Sequence, residues 1–352
     1  MTLIKLNPLT TKKIARFKTI RRGYYSLILF VIFLIIALFA EVIVSNRALL
    51  VKYNGSYYFP SYGAIIPGKT LGMDYEYETN YRELAKRFSI ETENDNFVIL
   101  PIVPYNPYEN DLKNNTFPPF PPSFSESHYL GTDKTGRDVV ARLVYGFRIA
   151  IFFSIILLVV SYLIGISIGC LMGYLGGKFD LFFQRIIEIW TNIPYLYAII
   201  ILSSIVNPSF ISLLGIMIFF GWISMTWYMR TATYKEKSRE YVLAARALGA
   251  SNSRIIFKHI IPNTVSLIIT FVPFSIAGSI TALTALDYLG FGLPPPTPSW
   301  GQLLSEGSEY TIDAAWISIS VISALVVVLT MVTFIGEAIR EAYDPKMHTT
   351  YE

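Results

Sequence analysis

The chain contains four long stretches without any Asp, Glu, Lys or Arg, and these stretches most constrain how it can fold. They cover residues 149–177, 189–229, 260–286 and 314–336. A fifth apolar stretch, 24–44, carries a single charge, Glu41. Because a helix needs about 20 apolar residues to cross a bilayer core, each stretch predicts a membrane span, and 189–229 predicts two, with a turn at its central Asn-Pro-Ser. The six predicted spans lie near residues 24–44, 149–174, 189–206, 210–229, 264–287 and 314–337.

The composition agrees with a membrane protein. Of the 352 residues, 53% are hydrophobic and 15% are charged, with a mean hydropathy of +0.46. These values exclude an ordinary soluble enzyme, and the predicted fold class is an all-α polytopic membrane protein. The first span is too long for the apolar region of a signal peptide, so we expect it to be retained. The only cysteine, Cys170, lies in the second span, so no internal disulfide is predicted.

The positions of Lys and Arg predict the orientation of the spans. Residues 1–23 contain seven of them, and the segment between spans four and five, 230–263, contains another seven. Short loops rich in Lys and Arg stay in the cytoplasm, so both termini and 230–263 are predicted to be cytoplasmic, with 45–148 outside. The pI of about 8.9 therefore reflects topology and does not indicate a nucleic-acid partner.

One short motif matches the phosphate loop of ATP-binding enzymes. GAIIPGKT, residues 63–70, fits the pattern GxxxxGK[ST]. It lies in the predicted external segment, and Pro67 removes one of the backbone amides that would hold phosphate. We therefore interpret it as a chance match.

A second motif matches the nucleophile elbow of hydrolases. GISIG, residues 165–169, fits GxSxG, but it lies in the middle of a span. The three histidines, all in predicted loops or tails, are His128, His259 and His348. None could reach this serine, so Gly165, Gly169 and Gly173 instead predict a stripe of small residues for close helix packing.

The segment 235–263 is the most informative part of the chain. It predicts two short helices: one from Lys235 to Leu248 that ends at Gly249, and one capped by Ser251 that ends at Pro262. Three interpretations fit this pattern. They are a DNA-binding helix-turn-helix, a passive amphipathic linker, and a docking element for a cytoplasmic partner.

The same segment resembles the EAA motif of ABC importer permeases, E-A-A-x3-G-x9-I-x-L-P. Here it reads Leu243-Ala244-Ala245, three residues, Gly249, nine residues, and then residues 259–262, His-Ile-Ile-Pro. Leu replaces the Glu and His replaces the first Ile. Both departures are similar to the peptide-importer branch of the family.

Other stretches resemble the same branch, the C-type permeases of dipeptide and oligopeptide importers. The similar stretches are residues 16–23, 128–150 and 286–307. An insertion at 50–125 is similar to that of the permease subunit of microcin C and peptide importers. The resemblance implies a type I ABC importer permease fold, with a mixed α/β insertion outside the membrane between spans one and two.

The resemblance also implies a function and a set of site residues. It implies a bacterial inner-membrane permease for oligopeptides or microcin-like compounds, with no cofactor of its own and ATP bound by a separate ATPase subunit. The implied partners are a second permease, one or more cytoplasmic ATPase subunits, an extracytoplasmic peptide-binding protein and membrane lipid. The implied ATPase-coupling residues are Glu240, Leu243, Ala244, Ala245, Arg246, Gly249, Arg254, His259 and Pro262. The implied external motif residues are Gly131, Thr132, Asp133, Gly136, Asp138, Gly290, Gly292, Pro298, Trp300 and Gly301.

Alternatives to these assignments remain open at the sequence level. Arg246 and Arg254 could be solvated charges or face lipid headgroups. A secondary transporter or channel would need no ATPase, but no predicted span has an acid or base at its centre, which such transporters usually need. No HExxH or Cys/His cluster predicts a metal site, and no catalytic constellation predicts a membrane enzyme.

The predicted external segment has a structure of its own. Residues 49–59 predict a hairpin with its turn at Asn-Gly, 80–88 a helix, 96–103 a strand and 117–122 a polyproline-type connector. This segment could be a passive cap or a docking surface for a peptide-binding protein. The loop 294–300 could likewise be a gate or a rigid connection. Asp287, at the outer end of span five, is expected to be a solvated acid.

The sequence therefore divides into five predicted parts. They are a cytoplasmic N-terminal segment (1–23), transmembrane helix 1 (24–44), an extracytoplasmic insertion (45–147), a transporter domain containing the 235–263 loop (148–340) and a cytoplasmic tail (341–352).

Overall fold

The protein is described by a computed structural model covering residues 8–90, 95–112 and 116–343. The first residues of the predicted N-terminal segment, His348 and most of the predicted tail lie outside the described residues. The described helices and strands, in chain order, are α1 (Pro8–Thr19), α2 (Arg21–Leu38), α3 (Ala40–Ile43), β1 (Leu50–Tyr53), β2 (Ser56–Tyr58), α4 (Tyr81–Ile90), β3 (Phe97–Ile99), α5 (Val139–Leu175), α6 (Gly177–Thr191), α7 (Tyr195–Ile205), α8 (Phe210–Gly221), α9 (Ile223–Lys237), α10 (Glu240–Ala247), α11 (Asn252–Ile255), α12 (Ile261–Tyr288), α13 (Trp300–Glu309) and α14 (Ala315–Tyr343).

Five stretches of helix among the described residues are long and apolar enough to cross a membrane. They are α2, α5, α8 with α9, α11 through α12, and α14. The pair α6 and α7 is bent by 77°, and counting it as one span gives six, the number that the sequence predicts. The span predicted near 189–206 contains a bend, because helix α6 ends at Thr191 and α7 starts after Pro194. Proline has no N–H to donate and clashes with the preceding turn of a helix.

Helix α5 is the centre of the membrane domain. It contacts α2, α8, α9, α12, α13 and α14. It begins at Val139, earlier than the predicted span, because Asp138 caps it: the Asp138 carboxylate accepts a hydrogen bond from the Ala141 amide at 2.8 Å. One buried apolar cluster joins α5 to α12, α13 and α14, and includes Phe147, Ile280 and Trp300. The all-helical membrane domain that the sequence predicts is confirmed.

The predicted stripe of small residues is also confirmed, at the contact between α5 and α9. A Cβ atom on Gly165 would lie 2.7 Å from the Trp222 carbonyl oxygen, and one on Gly169 would lie 2.5 Å from that of Thr226. Gly173 meets α9 in the same way. The backbones of the two helices therefore touch, and this contact requires residues without side chains.

We expect Gly169→Leu to force α5 and α9 apart and to destabilise the membrane domain by about 1–3 kcal/mol, the usual cost of overpacking. The measurement is thermal unfolding of the detergent-solubilised protein. Gly215→Leu, in the apolar helix α8, is the matched control because no atom lies within 4 Å of its added Cβ. Equal unfolding temperatures for the two variants would contradict the prediction.

The segment between α3 and α5 contains a small antiparallel sheet in the order β2-β1-β3. The predicted hairpin is confirmed, with Asn54 and Gly55 at positive φ (48° and 78°) in its turn. The predicted helix and strand are confirmed as α4 and β3. Val51, Leu71 and Leu84 are fully buried between these elements. The segment thus has its own small core.

Residues 63–70 do not form a phosphate loop. Only a four-residue 3-10 turn, Gly68–Leu71, follows Pro67, whereas a phosphate loop opens a long helix. The Lys69 ammonium forms an exposed ion pair with Glu76. The geometry agrees with a chance match.

Candidate functional site

The segment 235–263 forms a compact connection between two membrane spans. Helix α9 continues from its span to Lys237, so the prediction that a new helix begins at Lys235 is wrong. The break falls at Ser238 and Arg239, where the backbone turns to an extended conformation (Arg239 ψ 143°) before α10. Gly249 then takes φ +80°, and the Ser251 side chain accepts a hydrogen bond from the Arg254 amide, so both predicted caps are confirmed.

The predicted stop at Pro262 is wrong. A π-helical turn at Ile256–Ile260 follows α11, and Pro262 lies in the first turn of α12, which continues to Tyr288. The first turn of a helix tolerates proline because its N–H would have no intrahelical partner, and the wider π turn carries the chain into it. The segment is therefore joined without a loop to the span that follows it.

Helix α10 has one buried side and one exposed side. Val242 is 1% exposed and packs on Ile255, Ile256 and Ile260. By contrast, the neighbouring Leu243 is 52% exposed, and Leu248, just beyond the helix, is 88% exposed. Apolar side chains this exposed, in a segment rich in Lys and Arg, are typical of an interaction surface.

The implied coupling residues share this surface or its edges. Exposed among them are Glu240, Leu243, Ala244, Arg246, Gly249, Arg254 and Pro262, and half-buried are Ala245 and His259. The structure thus gathers these residues around α10 and α11.

Hydrogen bonds join the helices on either side of α10 to the ends of the spans. The Lys237 ammonium donates to the Tyr174 carbonyl at 2.5 Å, and the Tyr174 hydroxyl donates to the Asn252 side chain at 3.1 Å. The Arg230 guanidinium donates to the Asp180 carboxylate at 2.6 and 2.7 Å. Sequence reasoning missed these contacts, because their partners are far apart in the chain. These contacts join the two helices that flank α10, α9 and α11, to α5 and α6.

Four buried charged residues form a second candidate site, the ion-pair cluster, next to the start of α5. Its members are Asp133, Arg137, Arg142 and Glu306. Arg142 donates to Asp133 at 2.5 Å and to Glu306 at 3.0 Å, and Arg137 donates to the same carboxylates at 2.7 and 3.1 Å. None of the four is more than 7% exposed. Sequence reasoning singled out Asp133 and missed the other three.

Burial and ion pairing act in opposite directions on the two carboxylates. Burial alone would raise the pKa of Asp133, but Arg142 and Arg137 outweigh it and the pKa is lowered. Burial raises the pKa of Glu306, and the two guanidinium groups only partly offset this. With two positive and two negative groups in contact, the cluster is neutral when both acids are ionised.

A buried histidine lies beside this cluster. The ring of His128 is fully buried, with Nδ1 at 2.7 Å from the Asp138 carboxylate and Nε2 at 3.1 Å from that of Asp111. It stacks on Tyr105 with a centroid distance of 3.9 Å. The ring therefore connects the cap of α5 to the inserted segment.

The other implied external motif residues pack around the same region. All ten motif residues except Gly290 are buried. The Trp300 indole donates to the Leu143 carbonyl at 2.9 Å, and a Cβ on Gly301 would lie 2.1 Å from the Thr284 carbonyl oxygen. The buried motif residues are Gly131, Thr132, Asp133, Gly136, Asp138, Gly292, Pro298, Trp300 and Gly301.

The expectation that Asp287 is solvated is wrong. Its side chain is 8% exposed and accepts hydrogen bonds from the Leu293 amide at 2.6 Å and the Ser299 hydroxyl at 2.5 Å. The loop after α12 folds back over the acid, because two donors in that loop satisfy its oxygens.

Comparison with known proteins identifies the family. The sequence profile of binding-protein-dependent transport system inner membrane components matches residues 165–349. The match covers more than half of the chain. The chain belongs to this family.

Three relatives of this permease illustrate the match. The inner membrane ABC transporter permease protein YejE of Escherichia coli (strain K12) is 39% identical, over 97% of this chain and 98% of that protein. The peptidoglycan transport system permease protein YejE of Agrobacterium fabrum is 36% identical, over 98% and 96%. The dipeptide transport system permease protein DppC of Bacillus subtilis is 34% identical, over 69% of this permease and 75% of that protein. The longer alignments to the two YejE proteins agree with the predicted insertion at 50–125.

The buried histidine gives this permease a pH-dependent stability. Burial, the largest influence, lowers the pKa of His128, but the hydrogen bonds to Asp111 and Asp138 outweigh it and the pKa is raised. A raised pKa adds stability below about pH 6.5, the ordinary value, and this stability is lost as the pH rises through the folded-state pKa.

We therefore expect the unfolding temperature of the purified permease to fall between pH 6 and pH 9, and His128→Gln to reduce that fall. The difference in slope between the variant and the parent chain reports the histidine, because the substitution removes only the imidazole and leaves buried acids such as Glu306, whose pKa is raised, in place. The measurement is thermal unfolding in detergent at each pH. A variant with the same slope as the parent chain would contradict the assignment.

Proposed function

We propose that this permease is one of two membrane subunits of an ATP-driven importer of oligopeptides or peptide-like compounds, such as the microcin C class. The carrying observation is the exposed apolar surface at α10, between two helices, α9 and α11, that are hydrogen-bonded to the end of α5. The names of two relatives, which describe peptidoglycan and dipeptide transport, support the substrate class. No cofactor is assigned to the chain itself.

The mechanism we propose is rigid-body coupling. A separate cytoplasmic ATPase binds the α10 surface and moves when it binds ATP. Because Val242 of α10 packs into the cluster formed by α5, α9 and the turn after α11, and α11 continues into α12, displacement of α10 would switch the spans between inward and outward access. A second permease subunit would complete the pathway, and a peptide-binding protein would deliver the substrate.

The proposed orientation places both termini in the cytoplasm. The start of α2 contacts the end of α14: a Cβ on Gly23 would lie 2.1 Å from the Ala338 Cβ. The Lys13 ammonium also lies 4.2 Å from the centroid of the Tyr343 ring. The two ends of the described chain therefore share one side of the bundle, as cytoplasmic termini would.

The test has two measurements. One is copurification of the tagged chain with the ATPase and the second permease, and the other is peptide uptake by cells. Leu248→Glu is expected to abolish copurification of the ATPase and uptake, while leaving the chain in the membrane, because its side chain is 88% exposed. Ile90→Glu, 80% exposed on α4, is the matched control and should retain both. If the parent chain imports peptide without an associated ATPase, a secondary transporter is indicated instead.

A further inference from the structure

A cavity of about 230 Å³ lies between α5, α8, α9 and α12. Its lining comes from near the centres of two long helices: Ser161 and Tyr162 on α5, and Ser275 and Ser279 on α12. If these helices cross the membrane as their length and composition indicate, the cavity lies at mid-depth. Substrate sites of secondary transporters lie near this depth.

The lining combines a mostly apolar surface with several hydroxyl groups and carries no charge. Its hydroxyl groups belong to Ser161, Tyr162, Tyr195, Ser224, Tyr228, Ser275 and Ser279, and its other residues are apolar or glycine. One wall is aromatic, since Tyr228 stacks on Phe271 with a centroid distance of 4.0 Å. A charged group would find no counter-charge in this lining, so its entry would be costly.

One of these hydroxyls lacks a partner. The Tyr162 hydroxyl and the Ser275 hydroxyl are 2.7 Å apart, and the Ser279 hydroxyl donates to the Ser275 carbonyl at 2.8 Å. The Ser161 hydroxyl, on a residue only 4% exposed, makes no hydrogen bond. A buried polar group without a partner is costly. The oxygen itself is covered in this structure, so a ligand in the cavity would supply a partner after Ser161 changes rotamer, and this would remove that cost.

We propose that this cavity binds a backbone amide of the transported peptide, and this proposal rests on the function proposed above. An amide offers one donor and one acceptor, and a serine or tyrosine hydroxyl can serve as either. The volume exceeds the ~150 Å³ of an engineered cavity that holds benzene, so one peptide unit has room. Recognition of the backbone by neutral hydroxyls would accept peptides of different sequence.

The first experiment compares uptake of a tripeptide with uptake of analogues in which each amide in turn is replaced by an ester. Ser161→Ala is expected to lower uptake of the tripeptide about two- to tenfold, the effect of one hydrogen bond. It should have a much smaller effect on the analogue that lacks the recognised amide. Combining the Ser161→Ala substitution with the amide-to-ester replacement isolates this contact, because an effect of the ester on the binding protein is the same for the parent chain and the variant.

Ser154→Ala is the matched control. Ser154 is also a buried serine of α5 with an unpartnered hydroxyl, but it does not line the cavity. Its uptake of every substrate should equal that of the parent chain. Equal losses in the two variants, or a Ser161→Ala loss that is the same for all analogues, would overturn the proposal.

A labelling experiment distinguishes peptide from lipid. Gly278→Cys places a thiol in the cavity, where an added Cβ has no atom within 4 Å, and the parent chain gives the background of its buried Cys170. In the assembled importer with binding protein and ATP, peptide is expected to slow maleimide labelling. Labelling that peptide leaves unchanged, as with a lipid-filled cavity, would overturn the proposal. If labelling is unchanged but the parent chain imports peptide normally, the proposed function stays intact. A parent chain that neither associates with an ATPase nor imports peptide would reject the function itself.

Discussion

Arg142→Met is expected to destabilise the permease by about 3–5 kcal/mol, the usual cost of removing one partner from a buried ion pair. The reason is the position of Arg142 between two carboxylates, Asp133 at 2.5 Å and Glu306 at 3.0 Å. Without the guanidinium, Arg137 alone would face both acids, and one negative charge would stay uncompensated in a buried place. The measurement is the unfolding temperature and folded yield of the detergent-solubilised protein.

The control for this prediction is Arg148→Met, at a position further along the same helix, α5. Arg148 pairs with Glu41 at 2.7 Å, but its side chain is 26% exposed and that of Glu41 is 51% exposed. An exposed pair contributes about 0.2–1 kcal/mol, so this variant should unfold close to the parent chain. Equal effects of the two substitutions would show that the ion-pair cluster is not the stabilising feature.

The same cluster predicts a partial rescue. The double variant Arg142→Met with Glu306→Gln removes one positive and one negative group, leaving Arg137 and Asp133 paired at 2.7 Å. We expect it to unfold at a higher temperature than Arg142→Met alone, because the buried charges balance again. A double variant less stable than the single one would indicate that packing, and not charge, is responsible.

Much of the fold could be predicted because its signals are local. Charge-free stretches predict spans, and Asn54-Gly55 predicts a hairpin because both residues tolerate positive φ. The bend between α6 and α7 was not predicted, although Pro194 was visible in the sequence. Hydropathy measures how apolar a stretch is and contains no information on its direction, so the apolar residues 189–206 predict a span but not the bend within it.

In the candidate sites, too, the features set by adjacent residues could be predicted and those set by distant residues could not. Gly249 and Ser251 were predicted as caps because capping depends on a few adjacent residues. The contact between Arg142 and Glu306 joins residues 164 positions apart, and no local pattern predicts it. Asp287 was expected to be solvated because it ends a span, but the loop that covers it supplies its donors only after folding.

Gly249→Val is expected to abolish peptide uptake while leaving the permease in the membrane. Gly249 has φ +80°, and an added Cβ would meet no atom within 4 Å, so the residue is exposed and its constraint is conformational. A β-branched residue strongly disfavours this backbone region, at a cost of about 1–2 kcal/mol, which would displace α10 relative to α11. The measurements are membrane content, copurification of the ATPase and uptake.

Gly249→Asn separates the two roles that the glycine could have in the proposed coupling. Asparagine tolerates the left-handed conformation, so this variant should keep the turn while placing a side chain on the exposed surface. Restored uptake would mean that only the turn is required. If Gly249→Asn is present in the membrane in normal amount but, like Gly249→Val, does not copurify with the ATPase, the ATPase approaches the backbone of Gly249 closely. Normal uptake by Gly249→Val itself would contradict the assignment of this residue to the coupling surface.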